Sequence, residues 1–430
     1  MTTNPQGDRT ARFGETFAVR EFQVLWLAIS QSGIGDQLAK LALSILVYDR
    51  TGSPFLTAMT YGVTYLPYLL AGPLLSPLAD RYRRREVLIG SDLVRAVLVA
   101  LMVVPGLPLW VLFVLVFVVG LARPPFDAAR SSILPDILPG DLFVTGTAVT
   151  QTTSQVTQVL GFAVGGAVVA TIGAPWSLAV NAASFALSAL LIRVGVHDRP
   201  APAGSTRPPM RQVITRGTVT IFRDRRLRAL IGLGMLAGFY VVPEALAVPY
   251  VKHELGLTAT YAGGLLAAAP LGIALGTILL TRLFRPSRRV NLMGPLAVVG
   301  LVALLPFALT PGFYAATGLL FVSGVAGGYN LAANAAFVSI LPNVNRGQAL
   351  GLAQTLLFLA QGVATMVAGA VTAVLGLPGT ICLSGAVGIV VACWSWFAWQ
   401  RAMRGRSLRP DEDELPGEPR RPRHRAPRRG

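Results

Sequence analysis

Asp36 and Lys40 stand four residues apart in the middle of an otherwise apolar run, and therefore on one face if that run is a helix. A charge at the centre of a membrane helix costs at least about 2.5 to 3.5 kcal/mol on insertion scales, so both should face protein or water. Two uses fit. Either Asp36 takes up and releases a coupling proton or holds a cationic substrate, with Lys40 as its switchable partner, or the two form a static ion pair between helices. Glu244 follows Pro243 in another apolar run, and shifting it back by 207 residues places it on Gln37, beside Asp36. Each half of the chain then presents a carboxylate at similar depth, where internal repeats build a midplane site. The competing reading sets Glu244 in the outer mouth, paired with Lys252 or solvent.

Gln31, Gln151, Gln155, Gln158, Asn330, Asn334, Gln354 and Gln361 also interrupt apolar sequence. Gln151, Gln155 and Gln158 make one stripe at helical spacing, and Gln354 and Gln361 another. Such amides either line a wet cavity or hydrogen-bond between helices. Asp92 and Arg95 are i,i+3 neighbours expected to support structure and to couple to Asp80, whereas Arg123 lies close enough to one membrane surface to snorkel. No His-Glu-x-x-His, Ser-His pair or cysteine cluster is present, and His197, His253 and His424 fall in expected loops or the tail. Neither a metal site nor a bound cofactor is expected.

The elements that must position these residues are legible in the hydropathy. Hydrophobic residues make up 53% of the 430 and charged ones 13%, against about 25% charged in a soluble domain. Twelve apolar runs recur, at about 22–47, 55–78, 87–104, 109–128, 143–170, 176–195, 229–251, 261–283, 290–309, 313–338, 349–374 and 378–399. Each is long enough to cross a bilayer as a helix. The net charge of +17 is not spread like a nucleic-acid surface. Arginines collect in alternate loops, while the opposite loops carry only Arg50 and Lys252. That asymmetry predicts a cytoplasmic-membrane protein with both termini inside. Met1 to Arg20 is polar, so no cleavable leader is expected.

The predicted organisation is an inner segment (1–21), a six-helix bundle (22–195), an inner linker (196–228), a second six-helix bundle (229–399) and a basic, disordered tail (400–430) with weak affinity for anionic lipid. The linker is first Pro-rich, then from Met210 amphipathic, predicting a helix along the inner membrane surface. Cys382 and Cys393 read as small apolar fillers. A half-chain repeat supports the division: GLARPPFDAARSSILP from Gly120 and GGYNLAANAAFVSILP from Gly327 share Gly, Ala-Ala and Ser-Ile-Leu-Pro. Such a copy in apolar sequence is the mark of a duplicated membrane bundle with a pathway between its halves.

The turn SPLADRYRRREVL, Ser76 to Leu88, resembles the inner-loop signature of the major facilitator superfamily. Asp80, Arg81, Arg84 and Arg85 match it, while Ser76 and Arg83 stand where the family has glycine. Gly161 to Gly166, GFAVGG, resembles the glycine motif of its proton-coupled exporters, with Phe162 in place of proline, and Gly161, Gly165 and Gly166 would let helices approach closely. Ser30 to Pro54 and Phe126 to Leu142 are similar to bacterial exporters of the enterobactin and macrolide efflux type. The resemblance implies two pseudo-symmetric six-helix bundles, a cytoplasmic gate in which Asp80 latches the halves, monomeric function and outward transport of a small molecule driven by the proton gradient. It also implies that Arg123 lies too near the inner end to be the mid-membrane arginine of many antiporters. Uptake or facilitated diffusion of a metabolite, and a non-transporting sensor or membrane enzyme, are the alternatives; a nucleic-acid partner is not expected.

Overall fold

The computed structural model describes residues 13–75, 81–199, 210–341 and 346–404, and among these every regular element is helical. The first half contains α1 (Phe13–Ala18), α2 (Arg20–Thr51), α3 (Pro54–Tyr65), α4 (Pro67–Leu75), α5 (Arg84–Leu101), α6 (Leu109–Leu121), α7 (Arg123–Ile137) and α8 (Asp141–Gly195). A linker helix α9 (Met210–Arg223) precedes α10 (Arg225–Met235), α11 (Ala237–Tyr240), α12 (Val242–Pro249) and a π-helical turn (Tyr250–Glu254). Next come α13 (Ala259–Leu283), α14 (Pro286–Val302), a 3-10 turn (Leu305–Leu309), α15 (Phe313–Gly327), α16 (Tyr329–Ile340) and α17 (Arg346–Met403). The 1–12 segment, most of the Pro-rich linker and the tail beyond 404 lie outside the described residues.

Among the described residues, seven helical segments are long and apolar enough to cross a membrane. Two of them, α8 and α17, hold two expected spans each and turn back at Gly173 (φ 82°) and Gly376 (φ 68°). Only glycine tolerates that left-handed backbone readily, and a proline two residues later restarts each helix in both halves. Helices α2 and α5 coincide with the first and third expected runs but are less apolar, because α2 carries Asp36 and Lys40 and α5 carries Asp92 and Arg95. Between α2 and α3 the chain reads Thr51-Gly52-Ser53-Pro54. Gly52 closes α2 at φ 61°, the Ser53 hydroxyl accepts the Leu56 N–H at 3.3 Å, and Pro54 occupies the first helical turn, where its missing donor costs nothing.

Several spans carry an irregular turn while the backbone stays right-handed helical: the second at Leu66 before Pro67, the fourth at Ala122 before Arg123-Pro124-Pro125, and the tenth at Gly328. Ala122 and Gly328 fall within one residue of each other in the repeat.

At one end of the bundle, here the terminal end, Glu21 at the start of α2 accepts hydrogen bonds from the His197 N–H (3.0 Å) and from Arg199 (2.9 Å to Oε2). Close by, Arg84 bonds Asp136 and the Ser132 carbonyl, Arg85 bonds the Arg193 carbonyl and Arg83 pairs with Asp198. Arg84 and Arg85 thus tie α5 to α7 and α8 within the first half, and Arg83 ties it to the start of the linker. Asp80 lies outside the described residues. The linker helix α9 forms, but it does not simply lie on a membrane surface. Ile221 is fully buried, and a Cβ at Gly217 would sit 3.0 Å from the Gln348 carbonyl of α17, so α9 docks on the second half and leaves Val219 and Phe222 outward.

The two halves meet toward the opposite, far end. Asp49 at the end of α2 pairs with Lys252 in the π-helical turn at 2.5 Å. Gly166 of α8 packs directly on α13: a Cβ at Gly263 would lie 2.5 Å from the Phe162 carbonyl and 2.7 Å from Gly166 Cα. Gly161 and Gly165 instead seat α8 on Gln37 and Leu38 of α2. On the other flank, Gly62 of α3 faces Gly362 and Thr365 of α17, and Ala58 faces Gly369.

Two outcomes follow. Gly263→Val pushes a branched side chain into backbone that has no rotamer to change, and is expected to lower stability by about 1–3 kcal/mol in denaturant unfolding of the purified protein. For Glu21, burial works to raise the carboxyl pKa, but the bonds from Arg199 and His197 outweigh it and hold it below its ordinary value of 4.5. The resulting stabilisation is complete above pH 4.5 and lost as pH falls through the depressed value. Melting curves of wild type and Glu21→Gln should therefore differ at neutral pH and converge in acid.

Candidate functional site

Asp36 lies about half-way along α2, roughly 24 Å from its start at 1.5 Å per residue. Its carboxylate turns toward α7, where Arg123 Nη1 donates to Oδ2 at 2.9 Å. Arg123 Nε is also 3.7 Å from Asp127 Oδ2, Arg130 is 3.6 Å from Asp127 Oδ1, and the Tyr68 hydroxyl donates to Asp127 Oδ2 at 3.3 Å. Two carboxylates and two guanidiniums alternate, so their charges cancel within the cluster. The pair is accessible, with 18% of the Asp36 side chain and 45% of the Arg123 side chain exposed.

Two expectations are corrected here. Arg123 does not snorkel outward: the irregular turn at Ala122 and the following prolines set it at the first turn of α7, from which it reaches the interior. Asp36 is paired with Arg123, not with Lys40. Lys40, one turn further along α2, stands 5.8 Å from the centroid of the Tyr65 ring, and the Glu244 carboxylate of α12 acts on it electrostatically from the other half. Lys252 is engaged by Asp49, and Glu244 lies within electrostatic range of Lys40, Tyr61 and Tyr65.

A cavity of about 250 Å³ opens beside this network, between α2, α7 and the first part of α8. Asp36, Arg95, Arg123, Asp127 and Arg130 supply its charge, and Phe22, Trp26, Phe126 and Phe143 its aromatic surface. Along α8, Thr147, Gln151, Ser154 and Gln158 form a polar ladder at helical spacing, with Gln151 and Ser154 exposed on the rim. Trp26 is held by its indole N–H, which donates to Thr153 Oγ1 at 2.7 Å.

The other polar candidates lie elsewhere. Gln31 donates to the Ser184 carbonyl at 2.8 Å, a bond between α2 and the second part of α8, and Gln155 is not among the lining residues. In the second half Asn330 donates to the Gly327 carbonyl within its own span, Asn334 and Gln354 are exposed, and Gln361 is half-buried in α17. None of these four lines the cavity. Asp92 and Arg95 pair directly and are buried, with the Arg95 guanidinium 4.6 Å and 4.4 Å from the ring centroids of Phe126 and Phe185. Desolvating two charges is tolerable only because each neutralises the other. The contribution of Asp127 and Arg130 was missed by the sequence reading, although Arg123, Asp127 and Arg130 repeat at i, i+4 and i+7 and so mark one charged face of α7.

The sequence pattern described as Major Facilitator Superfamily matches residues 25–338 and 245–428. The chain belongs to this superfamily. Its members are transporters rather than enzymes, so a membrane enzyme is no longer an alternative. Among the chains it resembles are macrolide efflux protein A of Streptococcus pyogenes (23% identical, covering 54% of this chain and 59% of that one) and the enterobactin exporter EntS of Shigella boydii serotype 4 (24%, 66% and 70%). The multidrug efflux pump Tap of Mycobacterium bovis matches over 91% of this chain and 96% of its own at 25% identity. The chain spans only about three fifths of the macrolide efflux protein's length. Its fold is similar to that of the nucleoside transporter NupG, at a TM-score of 0.71 and 14% identity over 88% of this chain and 99% of that one. The fold is therefore the all-helical, multi-pass membrane fold of the superfamily.

Asp92→Ala should cost about 3–5 kcal/mol, because it leaves the buried Arg95 charge unpaired. Replacing both partners together, Asp92→Leu with Arg95→Met, should restore most of that loss in equilibrium unfolding.

Proposed function

We propose that this superfamily member exports a hydrophobic or amphipathic small molecule across the cytoplasmic membrane by alternating access, in exchange for protons. The observation that carries the reading is the Asp36–Arg123 pair, at 2.9 Å, half-way along its helix and open to a cavity. Protonating Asp36 leaves Arg123 and Arg130 facing Asp127 alone, so the network gains one net positive charge while Arg123 keeps a carboxylate within reach. Proton and cargo then compete for one network, which is what exchange requires.

The direction of transport is supported by the similar proteins, three of which bear the names of exporters or efflux pumps. The arginine-rich loops assign the terminal end to the cytoplasm. On that assignment the far-end contacts of Asp49 with Lys252 and of Gly166 with Gly263 seal the outside, and the cavity receives cargo from within. In this reading the proton gradient supplies the energy, no cofactor is bound, the monomer is the working unit and the surrounding lipid is the other standing partner. Lys40 and Glu244 lie within electrostatic range of each other across the two halves, and Gln151 and Gln158 orient cargo along the polar wall. Asp80, with its neighbouring arginines, serves the cytoplasmic gate.

The test is transport in proteoliposomes of a panel of hydrophobic and amphipathic compounds, with and without an imposed pH gradient. Wild type should show gradient-dependent flux, and Asp36→Asn should lose it by about tenfold or more while remaining folded. Undiminished coupling in Asp36→Asn would remove that carboxylate from the mechanism, and flux indifferent to the gradient would favour a facilitator.

A further inference from the structure

We propose that Tyr68 is the residue through which the charge network of the first half acts on the contact between the two halves. The proposal rests on the reading of Asp36 as the proton-accepting group.

Tyr68 touches both. Its hydroxyl donates to Asp127 Oδ2 at 3.3 Å, and its ring lies against Phe358 of α17 with centroids 4.0 Å apart. Tyr65 reaches the same phenylalanine from 6.0 Å, so this is where the second span meets the second half nearest the charged cluster. Tyr68 also sits two residues beyond the irregular turn at Leu66. There Pro67 packs on Gly120, where an added Cβ would be 2.5 Å from Pro67 Cγ. Gly120 lies just before the irregular turn at Ala122 that orients Arg123. Two helices are therefore stacked at their irregular turns, with Tyr68 on one and Arg123 on the other.

The charges around this tyrosine define how it can switch. Asp36 faces Arg123 and lies within electrostatic reach of Lys40 and Asp92, while Asp127 faces Arg123, Arg130 and Tyr68. Arg95 and Arg123 both act on the tyrosine. With Asp36 ionised, Arg123 divides itself between Asp36 and Asp127. A proton from water placed on Asp36 cancels that carboxylate's charge and releases the guanidinium toward Asp127, the nearest remaining anion. Arg123 then competes with the Tyr68 hydroxyl for the same oxygen, Oδ2. Once released, the ring is restrained by its contact with Phe358 and can move with α4 relative to α17. The proton changes place, no covalent bond between heavy atoms is made or broken, and the consequence is mechanical.

The experiment uses the full chain in nanodiscs, with Cys382 and Cys393 replaced by serine and spin labels at Asp141→Cys and Ser287→Cys, on the terminal-end portions of the two halves. Distance distributions between the labels are recorded from mildly acidic to mildly alkaline pH. The parent protein should change its ratio of separated to approached halves with pH, and Asp36→Asn should not. Tyr68→Phe, which keeps the ring and removes only the hydroxyl, should shrink that change by about tenfold, the value of one hydrogen bond to a charged group. Phe358→Leu, which spares the hydroxyl, should shrink it as well, and the double variant should lose little more than either single one. A Tyr68→Phe response equal to the parent's would overturn the proposal and leave Asp36 untouched. A parent that does not respond, or an Asp36→Asn variant that responds like it, would instead remove the proton reading and this proposal with it.

Discussion

An ionised side chain within a membrane bundle must find an opposite charge or water, and the arrangement of the first half follows from that requirement. Asp36, Arg123, Asp127 and Arg130 meet it as an alternating chain at the wall of a cavity. Asp92 and Arg95 meet it by direct pairing between two aromatic rings. The first solution stays partly solvated; the second is buried, with Arg95 at the edge of the same cavity. Difference in solvent access, not in residue type, separates the two.

Glycine packing gives this chemistry its geometry. Contact between Gly166 and Gly263 on one flank, and between Gly62 and Gly362 on the other, brings backbone against backbone across the two halves. Few rotamers lie in such interfaces, which lets the two halves approach closely. The Asp49–Lys252 pair fastens the same end. The seal is concentrated there and the cavity lies toward the other end, an asymmetry on which the proposed alternating access rests. The irregular turns fit this picture, since the second, fourth and tenth spans each carry one close to the polar residues they present.

Much of this was written in the order of residues. Twelve apolar runs, alternating arginine-rich loops and the half-chain repeat between Gly120 and Gly327 identify a duplicated helical membrane protein. Gly173 with Pro175, and Gly376 with Pro378, mark the returns of the two longest helices, because only glycine takes the required φ readily and only proline needs no donor at the next start. That Asp36 must meet an opposite charge or water was legible from its depth alone, since an uncompensated charge there is costly.

Partnership was not legible, because it depends on which helix faces which. Local spacing suggested Lys40 for Asp36, being one turn away, but the tertiary structure supplied Arg123, 87 residues on, and set Lys40 beside Tyr65, within electrostatic range of Glu244 of the other half. Likewise Gln31, which reads like a cavity residue, was spent on a carbonyl of the neighbouring helix, whereas Asp127 and Arg130, not singled out as site residues, joined the network. Sequence alone determined the helical, membrane-spanning character of the chain and the depth of its charges along each helix, since hydropathy and helical rise are properties of a single segment. Only the tertiary structure decided which charges neutralise each other, because that depends on the rotation of each helix about its axis and on the irregular turns that re-aim it, both set by packing among all its neighbours.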